Sequence, residues 1–287
     1  MIKLIKLLRP HQYVKNLFIF LPLFFAGQLA DIDLLINAFI ALIAFSLTAS
    51  AIYVLNDYHD IEEDRLHPKK KFRPLASGAV SKSTALIAMG VLAACGISLM
   101  AVYSFQAVAI LGVYVTLNIT YSFWLKHIAI LDVTIIAIGF VLRLFVGSAV
   151  TGIALSMWIV IMTFLLALFL ALAKRRDDVL LFLDTGKKMR KVIDGYNLQL
   201  IDGAMMIMGS VVIVAYIQYT TSVEVIQRLQ TNNLYLTALF VIIGIMRYLQ
   251  VSFVENNSGS PTKIVLKDRF LQITILAWGT SFAWLIY

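Results

Sequence analysis

The chain has 287 residues, 61% of them hydrophobic, 14% charged, with a formal net charge of +8 and a mean hydropathy of +0.88. A water-soluble domain of this size sits nearer half apolar, so composition disfavours a soluble helical bundle and points to an all-α, polytopic membrane protein. The single cysteine, Cys95, lies in an apolar run, which excludes an intrachain disulfide and a cysteine-based metal centre.

The opening MIKLIKLLRPHQYVKN is basic and amphipathic and contains Pro10. It has no small-residue cleavage site behind a short apolar core, so it is expected to lie on the membrane surface and lead into the first span. Apolar runs at roughly 16–31, 34–57, 82–103, 106–125, 129–151, 155–174, 198–221, 232–251 and 268–287 predict about nine transmembrane helices in one domain, 1–287. The first run is short and holds Pro22, so it is expected to tilt or kink. Lys15 and Asn16 open it, where a lysine commonly snorkels to the interface. No internal repeat is visible.

The second run ends in a charge cluster, NDYHDIEEDRLHPKKKFRP. If the helix continues past Asn56, then Asp57, Asp60 and Asp64 fall at i, i+3 and i+7 on one face. Three like charges beside a bilayer need a compensating cation. Hard oxygen ligands without histidine or thiolate suit Mg²⁺, which shares its shell with substrate phosphates. The bland alternative is a solvated helix end salted by Lys69, Lys70 and Lys71. Glu62 and Glu63 point elsewhere on the helix. Arg73, between Phe72 and Pro74, is placed for a local turn to aim it back at the carboxylates, and a guanidinium fork suits phosphate oxygens.

Tyr121 and Lys126 close the fourth run, and Trp124 has the character of an interface residue. Asp132 and Arg143 lie within the fifth. They are eleven residues apart, on the same helix face but about 16 Å distant along the axis, too far to pair directly; intramembrane charges point to function. After the sixth run comes LAKRRDDVLLFLDTGKKMRKVIDGY. Its LFLDTGKK superficially matches a phosphate-cradling loop, but such a loop needs a strand before it and a helix after it; a turn closing a short helix is expected instead. Of the 24 Lys and Arg, 21 fall in the N-terminal arm or in the loops after runs two, four, six and eight, and all four histidines share that side. The asymmetry predicts a cytoplasmic N-terminus with the chemistry on the cytoplasmic face, and it makes the positive charge a property of one membrane face rather than a nucleic-acid surface.

RPHQYVKN, NDYHDIEEDRLHPKKKFRPLASG and LNITYSFWLKHIAILDVTIIAIGFVLRLFVGSAVTG resemble the UbiA-type intramembrane prenyltransferase superfamily over nearly the whole chain. The resemblance implies nine helices around a central lipid-accessible cavity, with two Asp-rich motifs binding Mg²⁺ and a prenyl diphosphate. This chain departs from the pattern after the sixth run. The usual D-x-x-x-D is missing, and Lys174 and Arg175 stand at the membrane edge. Such cations move a site from holding a second metal toward gripping an anion directly.

The departure resembles the decaprenyl-phosphate phosphoribosyltransferase branch, which implies roles for Lys174, Arg175, Asp177 or Asp178, Arg190 and Tyr196. The implied reaction transfers 5-phosphoribose from phosphoribosyl pyrophosphate to a polyprenyl phosphate in cell-envelope biosynthesis, at the plasma or inner membrane. Asp57, Asp60 and Asp64 are the implied Mg²⁺ ligands and catalytic carboxylates. Lys15, Asn56, Arg73, Tyr121, Lys126, Lys174 and Arg175 are the implied phosphate contacts. The lipid tail is expected to leave between helices where Gly139, Gly147 and Ala149 make room, and the chain could work as a homo-oligomer. The alternative is prenyl transfer from a polyprenyl diphosphate to an aromatic or other acceptor, which would require carboxylates where Lys174 and Arg175 stand. A transporter is a weaker alternative, since repeats and matched broken spans are not seen.

Overall fold

The computed structural model describes residues 2–66, 70–186 and 190–286, and among these every regular element is helical. In chain order they are α1 (Ile2–Leu8), a 3₁₀ segment (Pro10–Phe20), α2 (Leu21–Phe25), α3 (Ile32–His59), α4 (Ile61–Leu66), α5 (Lys82–Tyr103), α6 (Phe105–Phe123), α7 (Leu131–Thr151) and α8 (Met157–Thr185), then α9 (Leu198–Thr221), α10 (Val223–Leu229), α11 (Ala238–Phe253), α12 (Pro261–Lys267) and α13 (Arg269–Ile286). Eight helical stretches of the described residues are long and apolar enough to cross a membrane.

The helix ends follow side-chain chemistry. Asp31 accepts hydrogen bonds from the Asp33 and Leu34 amides at the start of α3, Ser81 from Thr84 at α5, Ser156 from Ile159 at α8 and Asn197 from Leu200 at α9. Each satisfies an amide that the helix itself leaves open. The run expected at 16–31 is not one α-helix. Pro10 starts a 3₁₀ segment and Pro22 lies in the five-residue α2. The run expected at 155–174 continues eleven residues further, and α8 stops at Gly186, whose φ of 66° is readily adopted only without a side chain. The LFLDTG stretch is thus a helix end, as its composition suggested, but of a long helix rather than a short one; Lys187 and Lys188 lie outside the described residues.

The chain divides into two compact units, 1–123 with 142–154, and 124–141 with 155–287. In the first, Leu7, Val54, Ile61, Leu75 and Ala85 form a buried cluster that joins α1, α3, α4 and α5. Close packing there puts Gly147 against the Ile19 carbonyl, where any Cβ would collide. The space expected at Gly147 for a lipid tail is therefore filled by the chain itself. In the second, Phe169, Leu172, Ile201, Met205, Tyr248 and Val251 form the core between α8, α9 and α11. Large apolar side chains such as Ile87, Phe105, Met246 and Leu276 stay exposed on the long helices, as expected where lipid is the solvent.

Candidate functional site

The first charged cluster lies in unit 1, where α3 ends. The helix does not run on through Asp64. Asp60 is the C-cap of α3, and α4 restarts at Ile61. The expected continuous i, i+3, i+7 face is thus broken at its middle residue. Even so, Asp57 and Asp64 come together: both are buried, at 2% and 1% exposure, and Arg73 Nη1 bridges them at 3.1 and 2.6 Å. Arg73 gets there because Leu75 inserts beside Val54 and Ile61 and because the loop turns back, with the Arg73 amide on the Lys70 carbonyl at 2.9 Å. Arg65 Nε, on the Ala76 carbonyl at 3.3 Å, ties the same segment to α4. Glu62 and Glu63 are exposed, and Glu62 is engaged by Arg65. Asp60 pairs with His59 Nδ1 at 3.0 Å. His67 and Lys69 fall outside the described residues.

A residue that the sequence reading passed over completes this cluster. Arg9, in the left-handed region at φ 53°, pairs with Asp57 and stacks over the Tyr53 ring at 5.3 Å. The N-terminal segment is strapped to α3 to achieve this. Ser50 Oγ donates to the Leu8 carbonyl at 2.9 Å, and Tyr13 and Ser50 share a hydroxyl contact at 2.8 Å. Its only sequence signal was the Arg-Pro pair that opens RPHQYVKN. Desolvation, then the nearby Arg9 and Lys15 charges, holds His11 below its ordinary pKa.

No set of three His, Cys, Asp or Glu is gathered as metal ligands among the described residues. The donors nonetheless suit a hard cation. Asp64 Oδ1 is buried without a hydrogen-bond partner in the described structure, with Lys70 Nζ at 3.8 Å. Mg²⁺ commonly takes one or two carboxylates plus substrate phosphate oxygens and water, which Asp57 and Asp64 can supply. Asn56 is oriented by Ser122, which donates to its Oδ1. Tyr121 and Lys15 are half-buried, on α6 and on the 3₁₀ segment.

Arg143, whose role the sequence left open, is a buried cation in the same unit. Its Nε donates to Asn16 Oδ1 at 2.8 Å, and its guanidinium stacks on Phe45 and Tyr114 at 4.8 and 5.1 Å. Asn16 in turn donates to Ser46 at 2.8 Å. Arg143 thereby fixes the N-terminal segment from within.

The second charged cluster lies in unit 2. Arg175, 1% exposed, donates from Nε to Asp132 at 2.5 Å and from Nη1 to Asp178 at 2.7 Å. Asp178 also takes Arg190 Nε at 3.1 Å. Tyr196 closes the ring: its hydroxyl donates to Asp132 at 2.6 Å and accepts the Ile130 amide at 2.8 Å. Burial, and next the Asp132 carboxylate, push the Tyr196 phenol above its usual pKa, so it remains a proton donor. Of the two expected acids, Asp178 joins the ring and Asp177 lies against Gly259. Lys174 is exposed beside Arg175, and Lys126 is half-buried in the turn Leu125–His127. Arg176 is buried as well, on Asp202 at 2.8 Å, the Ser252 carbonyl at 2.6 Å and Asn256 at 3.0 Å. Neither its role nor its partners were legible from composition.

Residues 16–282 match the model of the UbiA prenyltransferase family, and the chain belongs to that family. It is 32% identical to the decaprenyl-phosphate phosphoribosyltransferase of Mycolicibacterium smegmatis, over 99% of this chain and 92% of that one. It is 31% identical to the enzyme of the same name from Corynebacterium glutamicum, over 99% and 86%. Its fold matches a UbiA homolog from Archaeoglobus fulgidus bound to DMAPP and Mg²⁺, with a TM-score of 0.73 and 19% identity over 98% and 99% of the two chains. With eight apolar helices among its described residues and its family membership, the chain is a multi-pass membrane protein.

Proposed function

We propose that the chain is a polyprenyl-phosphate phosphoribosyltransferase of the UbiA superfamily. One observation carries this reading: end-to-end similarity to two phosphoribosyltransferases, in a chain that has Lys174-Arg175-Arg176 where a second Asp motif would stand. In the reaction, a phosphate oxygen of the lipid bonds to ribose C1 of phosphoribosyl pyrophosphate. The C1–oxygen bond breaks, and pyrophosphate leaves with the electron pair. The attacking phosphate is already charged and needs alignment rather than a strong base.

Asp57 and Asp64, with Asp60, are the residues that would hold Mg²⁺; when bound, it supplies positive charge against the departing pyrophosphate. Arg73, already on both carboxylates, turns its fork to diphosphate oxygens. Asn56, held by Ser122, and Lys15 and Tyr121 contact phosphate. Lys126 and Lys174 take phosphate oxygens of the ribose or the lipid. Arg175 is fully buried between Asp132 and Asp178, which favours a positioning role in place of the direct phosphate contact expected of it. The Lys and Arg asymmetry supports a cytoplasmic N-terminus and a cytoplasmic-side reaction at the plasma or inner membrane.

The test uses detergent-purified protein with Mg²⁺, labelled phosphoribosyl pyrophosphate and a polyprenyl phosphate. Label is expected in the lipid phase, and Asp60→Asn should abolish it while the protein stays folded. Absence of lipid label from folded wild-type protein, with turnover of a prenyl diphosphate and an aromatic acceptor, would replace this reading by prenyl transfer.

A further inference from the structure

Beyond α11 in unit 2, the chain folds into a cavity of about 310 Å³ whose polar lining is Glu255, Asn257, Ser260, Lys263, Lys267 and Asp268. This is the lower end of the volumes that hold small ligands. Its walls are fixed. Asn256 holds Arg176 at 3.0 Å, the Asn257 amide bonds the Val251 carbonyl at 3.1 Å, and Ile264 buries α12 in the unit's core. Gly259 lies so close to the Asp177 carboxylate that a Cβ would stand 2.9 Å from Oδ1.

The charges are not balanced within the cavity. Arg247 takes both carboxylates, Glu255 at 2.9 Å and Asp268 at 2.6 Å, and Asp268 also caps α13 through the Leu271 amide at 2.8 Å. That leaves Lys263 and Lys267, one helical turn apart on the same face of α12. Both are exposed, and neither ammonium lies within ion-pair distance of a carboxylate among the described residues. Counted over the lining residues and Arg247, one guanidinium, two carboxylates and two ammoniums sum to +1; the Asp177 carboxylate at Gly259 lies outside that lining. Like charges at this spacing repel each other, an arrangement that an anion relieves. Ser258, buried in the same loop, keeps an Oγ without a hydrogen-bond partner among the described residues.

We infer that this cavity binds a phosphate ester, its phosphate oxygens on Lys263 and Lys267 and its neighbouring hydroxyls on Asn257 and Ser260. The cavity opens where α11 ends and α13 begins, at the ends of two apolar helices, so the ester can be a phospholipid headgroup or a soluble sugar phosphate. The site is separate from the residues assigned to phosphoribosyl transfer, and it stands or falls on binding rather than turnover. The full chain in detergent is titrated calorimetrically with ribose 5-phosphate and, separately, with short-chain phosphatidylglycerol. Wild type and the control Lys191→Gln should share a binding event that the Lys263→Gln/Lys267→Gln variant loses by tenfold or more in affinity, at unchanged Tm. Loss confined to ribose 5-phosphate identifies a soluble ligand, and loss confined to phosphatidylglycerol a lipid. Identical titrations of all three proteins with both probes would overturn the inference.

Discussion

The two charged clusters use the same ingredients, buried carboxylates against arginines, and reach different states. In unit 1, Asp57 and Asp64 are covered by Arg9 and Arg73, which are 21% and 27% exposed, and Asp64 Oδ1 has no hydrogen-bond partner among the described residues, with Lys70 Nζ at 3.8 Å. In unit 2, Arg175 is 2% exposed, Asp132 is fully covered, and both Asp132 oxygens are bonded. The first cluster is held by partly exposed cations. The second is sealed at Arg175 and Asp132, with Arg190, 31% exposed, at its edge on Asp178. The lesson is that a charge motif can be spent on holding a helix end in shape, and burial separates that use from ligand binding.

The comparison breaks most visibly at Arg175. Arg175→Ala strands Asp132 as a buried charge and should cost about 3–5 kcal/mol of stability, seen as a large fall in Tm in detergent. Arg175→Lys should recover little of it, lacking the fork. A stable Arg175→Ala protein that merely binds substrate poorly would reverse the assignment of the two clusters. Next comes Asp64→Asn, which should lower kcat by roughly 10²–10³, the scale of losing one charge-stabilising group, with Tm little changed. Arg9→Gln removes one charge-assisted contact, worth ~1.5–3 kcal/mol. That contact is made to Asp57 within the protein, so the loss is expected as a fall in Tm in detergent, smaller than that of Arg175→Ala.

The smallest effect is a pH dependence at Asp268. The Arg247 hydrogen bonds hold its carboxyl below the ordinary range, so the folded state binds this proton less readily than the unfolded chain. The stabilisation is present above the unfolded value of about 4 and disappears as pH falls through the lower folded one. The Tm difference between wild type and Asp268→Asn should therefore shrink on acidification below about pH 4. Arg247 and Glu255 are the charged neighbours, and a single ion pair at the rim of an open cavity contributes little, so the change is small.

Much of this was legible in the sequence. The spans at 82–103 and 198–221 were read with their ends, because Ser81 and Asn197 stop the apolar pattern where they cap the helices. Arg73 was readable from its turn. The break at Asp60 was not, since the acidic residues fit a continuous helical face equally well. Nor was the pairing of Arg9 with Asp57, 48 residues away, because local periodicity carries no information about such partners. The same reason hid Arg143 with Asn16. The extra turns of α8 escaped because hydropathy ends at Lys174 while helix propensity continues.

The division of α7 has a consequence for biosynthesis. Its first half, 131–141, belongs to unit 2, and its second half, 142–151, belongs to unit 1 with the three residues that follow. Chains emerge from the N-terminus first, so α3, α5 and α6 are made before the segment that completes their unit. Until Arg143 arrives, Asn16 lacks the cation that its carbonyl oxygen accepts from, and the Phe45 and Tyr114 rings lack their guanidinium. An arginine at mid-span costs ~2.5–3.5 kcal/mol to insert alone, a cost that the contacts with Asn16, Phe45 and Tyr114 offset once they form. Unit 1 is thereby complete only once residues 142–154 have been made, ahead of most of unit 2.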